Sequence, residues 1–143
     1  MMAMDDPYDL ARFVEAQRGT YEQACAELRR GWKTGHWIWF IFPQMKGLGM
    51  SAMSERYGIG SLAEARAYLG HSILGPRLRE ISGIALAIEG RTVEEIFGWP
   101  DDAKLRSSMT LFAAASGDER VFVDVLAKYF GGVRDQKTMG MVG

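Results

Sequence analysis

The sequence predicts an all-α fold: a single compact domain of about seven or eight short helices in an irregular, orthogonal array. Three observations carry this. The pattern Ser/Thr-x-x-Glu/Gln occurs at Thr20–Gln23, Ser61–Glu64 and Thr92–Glu95, and each pairs a capping hydroxyl with a side chain able to return the hydrogen bond. Apolar residues recur at i, i+3, i+4 and i+7 through most of the chain, the period of one helix face. Only one stretch has the composition of a strand, and a lone strand would leave its backbone groups without a ladder partner. Gly and Pro breaks are too frequent for a bundle of long helices.

The elements follow in order. Asp6-Pro7 places a capping carboxylate before Pro at a first helical position, and Leu10, Phe13, Val14 and Gln17 follow on one stripe. Gly19 breaks it. The Thr20 box opens a helix burying Tyr21, Ala24, Cys25 and Leu28, which stops at Gly31. His36 to Phe42 is apolar and aromatic, bounded by Gly35 and Pro43. It reads as a short buried helix ending near Phe42, since Pro43 pushes its predecessor out of the α region.

The Ser61 box opens another helix. Leu74, Leu78, Ile81, Ala85 and Ile88 keep helical spacing across Ser72–Glu89, with Pro76 in the first turns, where a missing N–H costs little. After the Thr92 box, Pro100 begins a helix of about Asp101 to Ala115, with Asp101 and Asp102 at its positive end. Apolar residues cover much of its circumference, which marks a central helix. A last clear helix starts at Asp118 and runs to Gly131-Gly132, and Asp135 caps a short tail.

Composition narrows the function classes. The 143 residues carry 48% hydrophobic and 24% charged side chains and a formal net charge of −1, which is ordinary for a folded globular domain. No excess of Lys and Arg supplies the field a general nucleic-acid binder needs. The longest apolar run, Trp37–Pro43, is too short to span a bilayer. Met1–Pro7 carries acid and no base, unlike a secretory signal. Cys25 stands alone, so it makes no internal disulfide and fits a cytoplasmic compartment. His36 and His71 stand far apart without metal-ligand spacing, so no metal and no cofactor are expected.

The chain resembles the bacterial domain-of-unknown-function family 1810. The resemblance rests on Arg12–Gln17, His36–Gln44 with Gly47-Leu48-Gly49, Tyr68–His71, Leu74–Leu78, Phe97–Leu105, Ser107–Phe112 and Lys128–Gly132. It covers nearly the whole chain; Ser72 stands where the family usually has Pro. The resemblance implies a mostly helical single domain and no known reaction. Family members often carry the automatic label "calpastatin". Calpain inhibitors of that name are disordered segments that fold on their target, whereas this chain has the composition of a folded core.

Candidate site residues come from the two most distinctive segments. Trp37 and Trp39 offer a stacking wall for a planar ligand, and two indole N–H groups two positions apart both need partners. His36 lies at the start of that segment as a neutral imidazole able to accept or donate. Gln44 offers a donor and an acceptor in a loop that Gly47 and Gly49 keep open; Gly47-Leu48-Gly49 is no dinucleotide fingerprint. Asp101, Lys104 and Ser108 fall at i, i+3 and i+7 on one helix line, with Lys104 as an anion anchor and Ser108 as a ligand-facing hydroxyl. His36, Gln44, Lys104 and Ser108 are expected to converge on one concavity of about 300 Å³ or more. The alternative is that the aromatic segment is core and the helix line a polar stripe. His71 is expected to cap or pack at a turn, Arg77 to serve a carboxylate or carbonyl, and Cys25 to be a small core residue.

The leading expectation is binding of a small-molecule or nucleotide-like ligand. The alternatives are a hydrolase acting on a nucleoside or ADP-ribose-like ligand, with His36 or Asp101 in acid/base work, and a protein–protein interaction module.

Overall fold

The computed structural model describes residues 5–143, which form ten α-helices: α1 (Ala11–Gln17), α2 (Tyr21–Arg29), α3 (Ile38–Ile41), α4 (Ala52–Tyr57), α5 (Leu62–Gly70), α6 (Leu74–Ala87), α7 (Val93–Phe97), α8 (Asp101–Ser116), α9 (Arg120–Phe130) and α10 (Gln136–Val142). Residues 1–4, part of the acidic N-terminus read above as no secretory signal, lie outside them. Seven helices have seven residues or more; the extra ones over the expected count are short turns such as α4, for which Ser51 accepts the Ser54 N–H. Among the described residues no strand forms; a single parallel bridge joins Met45 and Ile59. None of these helices is long and apolar enough to cross a membrane.

The longest helix, α8, is central for the reason its sequence gives: Leu105, Met109, Leu111, Phe112 and Ala113 are all fully buried. It packs against α5, α9, α10, α7 and α3, while α6 closes the other side through α9, α5 and α2. Phe112 meets Tyr68 of α5 at 5.3 Å and Phe122 of α9 at 6.1 Å between ring centroids, within the range of favourable aromatic pairs. The aromatic segment forms a short helix over Ile38–Ile41 only, with His36 before it outside the helix, and Trp37, Ile38, Phe40, Ile41 and Phe42 are buried. Gln17 pins it to α1: its Nε2 donates to the Phe40 carbonyl at 2.8 Å.

The three capping boxes fare differently. Thr92 and Glu95 form the full reciprocal box. Ser61 Oγ accepts the Glu64 N–H, but the Glu64 carboxylate turns to the Gly60 N–H and to Arg12. Thr20 makes no side-chain cap, and Gln23 donates to Glu27 instead. A box is a local preference: tertiary contact with Arg12 draws Glu64 away from the Ser61 box, and the Glu27 carboxylate four residues on draws Gln23 away from the Thr20 box.

Two helix starts also differ from expectation. Asp6 caps by accepting the Leu10 and Ala11 N–H groups at 2.8 and 3.0 Å, so Pro7 lies in the preceding turn. Asp9 there has φ 51°, a left-handed conformation that Asp tolerates but a helix does not. At the other end Gly117 and Asp118 both have φ 67°, so α9 begins two residues past Asp118. Asp135 caps α10 as expected, accepting from Thr138 N–H at 3.1 Å and Thr138 Oγ at 2.5 Å.

Candidate functional site

Glu27 lies three positions after Ala24 and one before Leu28, so α2 carries it into the buried face, where it is only 2% exposed. A carboxylate there needs donors. Its Oε1 accepts from the Thr34 and Gly35 N–H groups, each at 2.8 Å, and from Trp37 Nε1 at 2.9 Å. Its Oε2 accepts from Gln23 Nε2 at 2.8 Å. Burial pushes the carboxyl upward, but the donors, led by Gly35 N–H and Gln23, outweigh it and hold the pKa at about 2. Gly35 is required by this wrapping: a Cβ there would stand 2.7 Å from Trp37 Cδ1 and 3.0 Å from Gln23 Nε2.

The same loop positions Lys33. Its backbone N–H donates to the Ile96 carbonyl at 2.7 Å. Its ammonium donates to the Gly35 carbonyl and to Asp101 Oδ2, both at 2.6 Å, and sits 4.8 Å from the Trp37 ring centroid. Asp101, in the first turn of α8, reaches Lys104 Nζ at 3.8 Å with its other oxygen. Lys104 Nζ in turn lies 5.0 Å from the Trp39 ring centroid. One carboxylate is thus flanked by two ammonium groups, each against an indole face, where the ring quadrupole favours a cation.

Beyond Lys104 opens a cleft of about 220 Å³, lined by Gln44, Leu48, Gly49, Pro100, Ala103, Lys104, Ser107, Asp135 and Lys137. Its helical wall is Pro100, Ala103, Lys104 and Ser107, the i, i+3, i+4, i+7 stripe of α8. The other walls are the loop after α3 and the start of α10. Gln44 and Gly49 also line an adjoining water-sized recess with Trp39, Met53 and Tyr57. Trp39 Nε1 is buried with no hydrogen-bond partner among the described residues.

The residues singled out in the sequence separate. Gln44 and Lys104 share the cleft, Trp39 lines the recess beside it, and Asp101 is joined to it through Lys104. Trp37 corrects the expectation of a stacking wall: it is 1% exposed and its N–H is spent on Glu27. Ser108 is fully buried with its Oγ unpartnered, and Ser107 lines the cleft in its place. One step along a helix turns about 100°, so the line through Asp101, Lys104 and Ser108 diverges from the stripe that faces the cleft. His36 is exposed and outside the cleft lining. The cavity is also smaller than the expected 300 Å³.

Glu27, Lys33, Ser107 and Lys137 were not among the sequence candidates. Glu27 carried a legible signal, an acid inside an apolar helix stripe. Lys33 and Lys137 carried none, because the partner of Lys33 lies 68 residues away and the cleft that Lys137 lines is formed only in the fold. His71 caps α6, its Nδ1 accepting from the Ile73 and Leu74 N–H groups. Arg77 donates to the side-chain carbonyl of Gln17, the second of the two partners expected for it, and stacks over Tyr21.

The geometry describes an all-helical domain with a cleft of mixed polar and apolar lining at the start of its central helix. A family model described as a protein of unknown function, DUF1810, matches residues 7–142. The chain belongs to that family. It is similar to a solved structure, the conserved hypothetical protein Rv1873 of Mycobacterium tuberculosis, at 55% identity and a TM-score of 0.94, over 96% of this chain and 98% of that one. No curated protein matches.

Proposed function

We propose that this protein binds a small polar molecule in the cleft between the loop after α3 and the first turns of α8. The observation that supports it is the meeting of Gln44 and Lys104 from separate elements in one concavity, beside the unpartnered N–H of Trp39. Such a site combines a few convergent polar groups with apolar walls, here Leu48, Pro100 and Ala103. Binding ranks above hydrolysis because neither histidine lines the cleft, and the carboxylate that does, Asp135, is engaged in capping α10. The lone buried cysteine supports a reducing, cytoplasmic setting.

A cleft-filling variant tests this. Ala103 is exposed on the cleft wall, so Ala103→Trp is expected to block the site while leaving the thermal midpoint nearly unchanged. Small polar compounds that bind the wild-type chain by ligand-observed NMR should lose binding to Ala103→Trp. Equal binding to both proteins would place the site elsewhere. Turnover of a bound compound would favour the hydrolase reading.

One observation favours an interaction surface as a second reading. Trp32 and Trp99 are 59% and 79% exposed, and large exposed aromatics are enriched where partners dock. Trp32 immediately precedes Lys33, and Trp99 lies two positions before Asp101, so they flank the two ends of the Lys33–Asp101 connection in sequence.

A further inference from the structure

We infer that the cleft takes a ligand through an oxyanion, a phosphate or carboxylate group, held by Lys104 and Lys137 with the Trp39 indole N–H as a buried donor. This rests on the binding reading above and names its chemistry.

The balance of hydrogen-bonding groups carries it. Lys104 and Lys137 are donors only, and indole N–H is a donor only. Both lysines line the cleft, and Trp39 lines the recess that shares Gln44 and Gly49 with it. One carboxylate stands in the lining, Asp135, whose Oδ2 accepts from both Thr138 groups. Lys104 is only partly answered by Asp101 at 3.8 Å, because the opposite oxygen of Asp101 is taken by Lys33 at 2.6 Å. Trp39 Nε1, buried and without an acceptor among the described residues, adds an independent demand, since buried donors in folded proteins nearly always find a partner. With two ammonium groups in the lining against one carboxylate, the concavity carries an excess of positive charge, which is complementary to a group that only accepts. An oxyanion provides two or three acceptor atoms and the opposite charge. The Lys104 ammonium stands over the Trp39 face, 5.0 Å from its centroid, so the two residues adjoin where the cleft meets the recess.

The test reads the four tryptophan indole N–H resonances of the full chain by proton–nitrogen NMR, with Trp39→Phe assigning its signal. The chain is titrated with inorganic phosphate, sodium acetate, sodium chloride of matched ionic strength, and neutral adenosine. The expected result is a saturable movement of the Trp39 signal with phosphate or acetate but not chloride, while the Trp37 signal, held by Glu27, stays in place. Whichever of phosphate and acetate binds more tightly identifies the anion. Lys104→Met and Lys137→Met should each weaken that binding about tenfold; Lys137 is exposed on α10, so its replacement leaves the core untouched. An equal response to chloride, or unchanged affinity in both lysine variants, overturns the inference. Movement of the Trp39 signal by adenosine alone overturns the oxyanion but keeps the cleft as a binding site. No response to any probe, with no compound sensitive to Ala103→Trp, overturns both.

Discussion

The indole N–H of Trp37 donates to Glu27 Oε1 at 2.9 Å, both residues being almost wholly buried. This single carboxylate ties the aromatic segment to α2 and shapes the loop from which Lys33 reaches Asp101. Glu27→Ala should therefore destabilise by roughly 3–5 kcal/mol, because it leaves buried donors unanswered. Glu27→Gln, which keeps an acceptor oxygen, should cost less. Urea midpoints measure both; a Glu27→Ala protein as stable as wild type would contradict the structure.

Acid sensitivity follows from the same group. Its folded pKa of about 2 lies below the ordinary unfolded glutamate value near 4.3. The stability it contributes is therefore complete above the unfolded value and is lost as pH falls through 4 toward 2. Unfolding free energy measured from pH 5 to pH 2 should fall more steeply in wild type than in Glu27→Gln. Parallel profiles would show that Glu27 is not held ionised.

Cys25 should react slowly with a thiol reagent in the native state. It is buried, and burial first, then the carboxylate of Glu80, push its thiol upward against the opposing Tyr21 hydrogen bond. Both low access and a scarce thiolate slow the reaction. Denaturant should restore full labelling; rapid stoichiometric labelling of the folded chain would refute the burial.

Phe112→Ala and Trp99→Ala should separate core from surface. Phe112 is fully buried between Tyr68 and Phe122, so its loss should cost roughly 3–5 kcal/mol. Trp99 is 79% exposed, so its replacement should stay within about 1 kcal/mol. Chemical denaturation of the two variants gives the comparison, and equal losses would contradict the packing.

Gly35→Ala gives a finer probe of the Glu27 loop. The added methyl would press on Trp37 Cδ1 and Gln23 Nε2, so a loss of about 1–3 kcal/mol is expected. A neutral result, read from the thermal midpoint together with an unmoved Trp37 indole resonance, would show that the loop has slack.

By itself the sequence determined the helical class, the central place of α8, the buried helix at Ile38–Ile41 and the cap at Asp135. These are legible because they depend on local periods and on groups a few residues apart. It also brought Gln44, Lys104, Trp39 and Asp101 into view, since polar residues inside apolar segments stand out. Only the tertiary structure decided which of them meet. Trp37 turned inward because Glu27, ten residues earlier, supplied an acceptor there. Ser107 replaced Ser108 at the cleft because a neighbour one position along a helix faces about 100° away, and the phase is fixed by what packs on the far side. Lys33 found Asp101 across 68 residues, a pairing with no trace in local pattern. The Ser61 box gave way to Arg12 in the same manner, whereas the Thr20 box lost Gln23 to Glu27 four residues along its own helix. A hydrogen bond between near neighbours is worth about 1 kcal/mol, and a buried charge such as Glu27 or Arg12 demands partners more strongly than that.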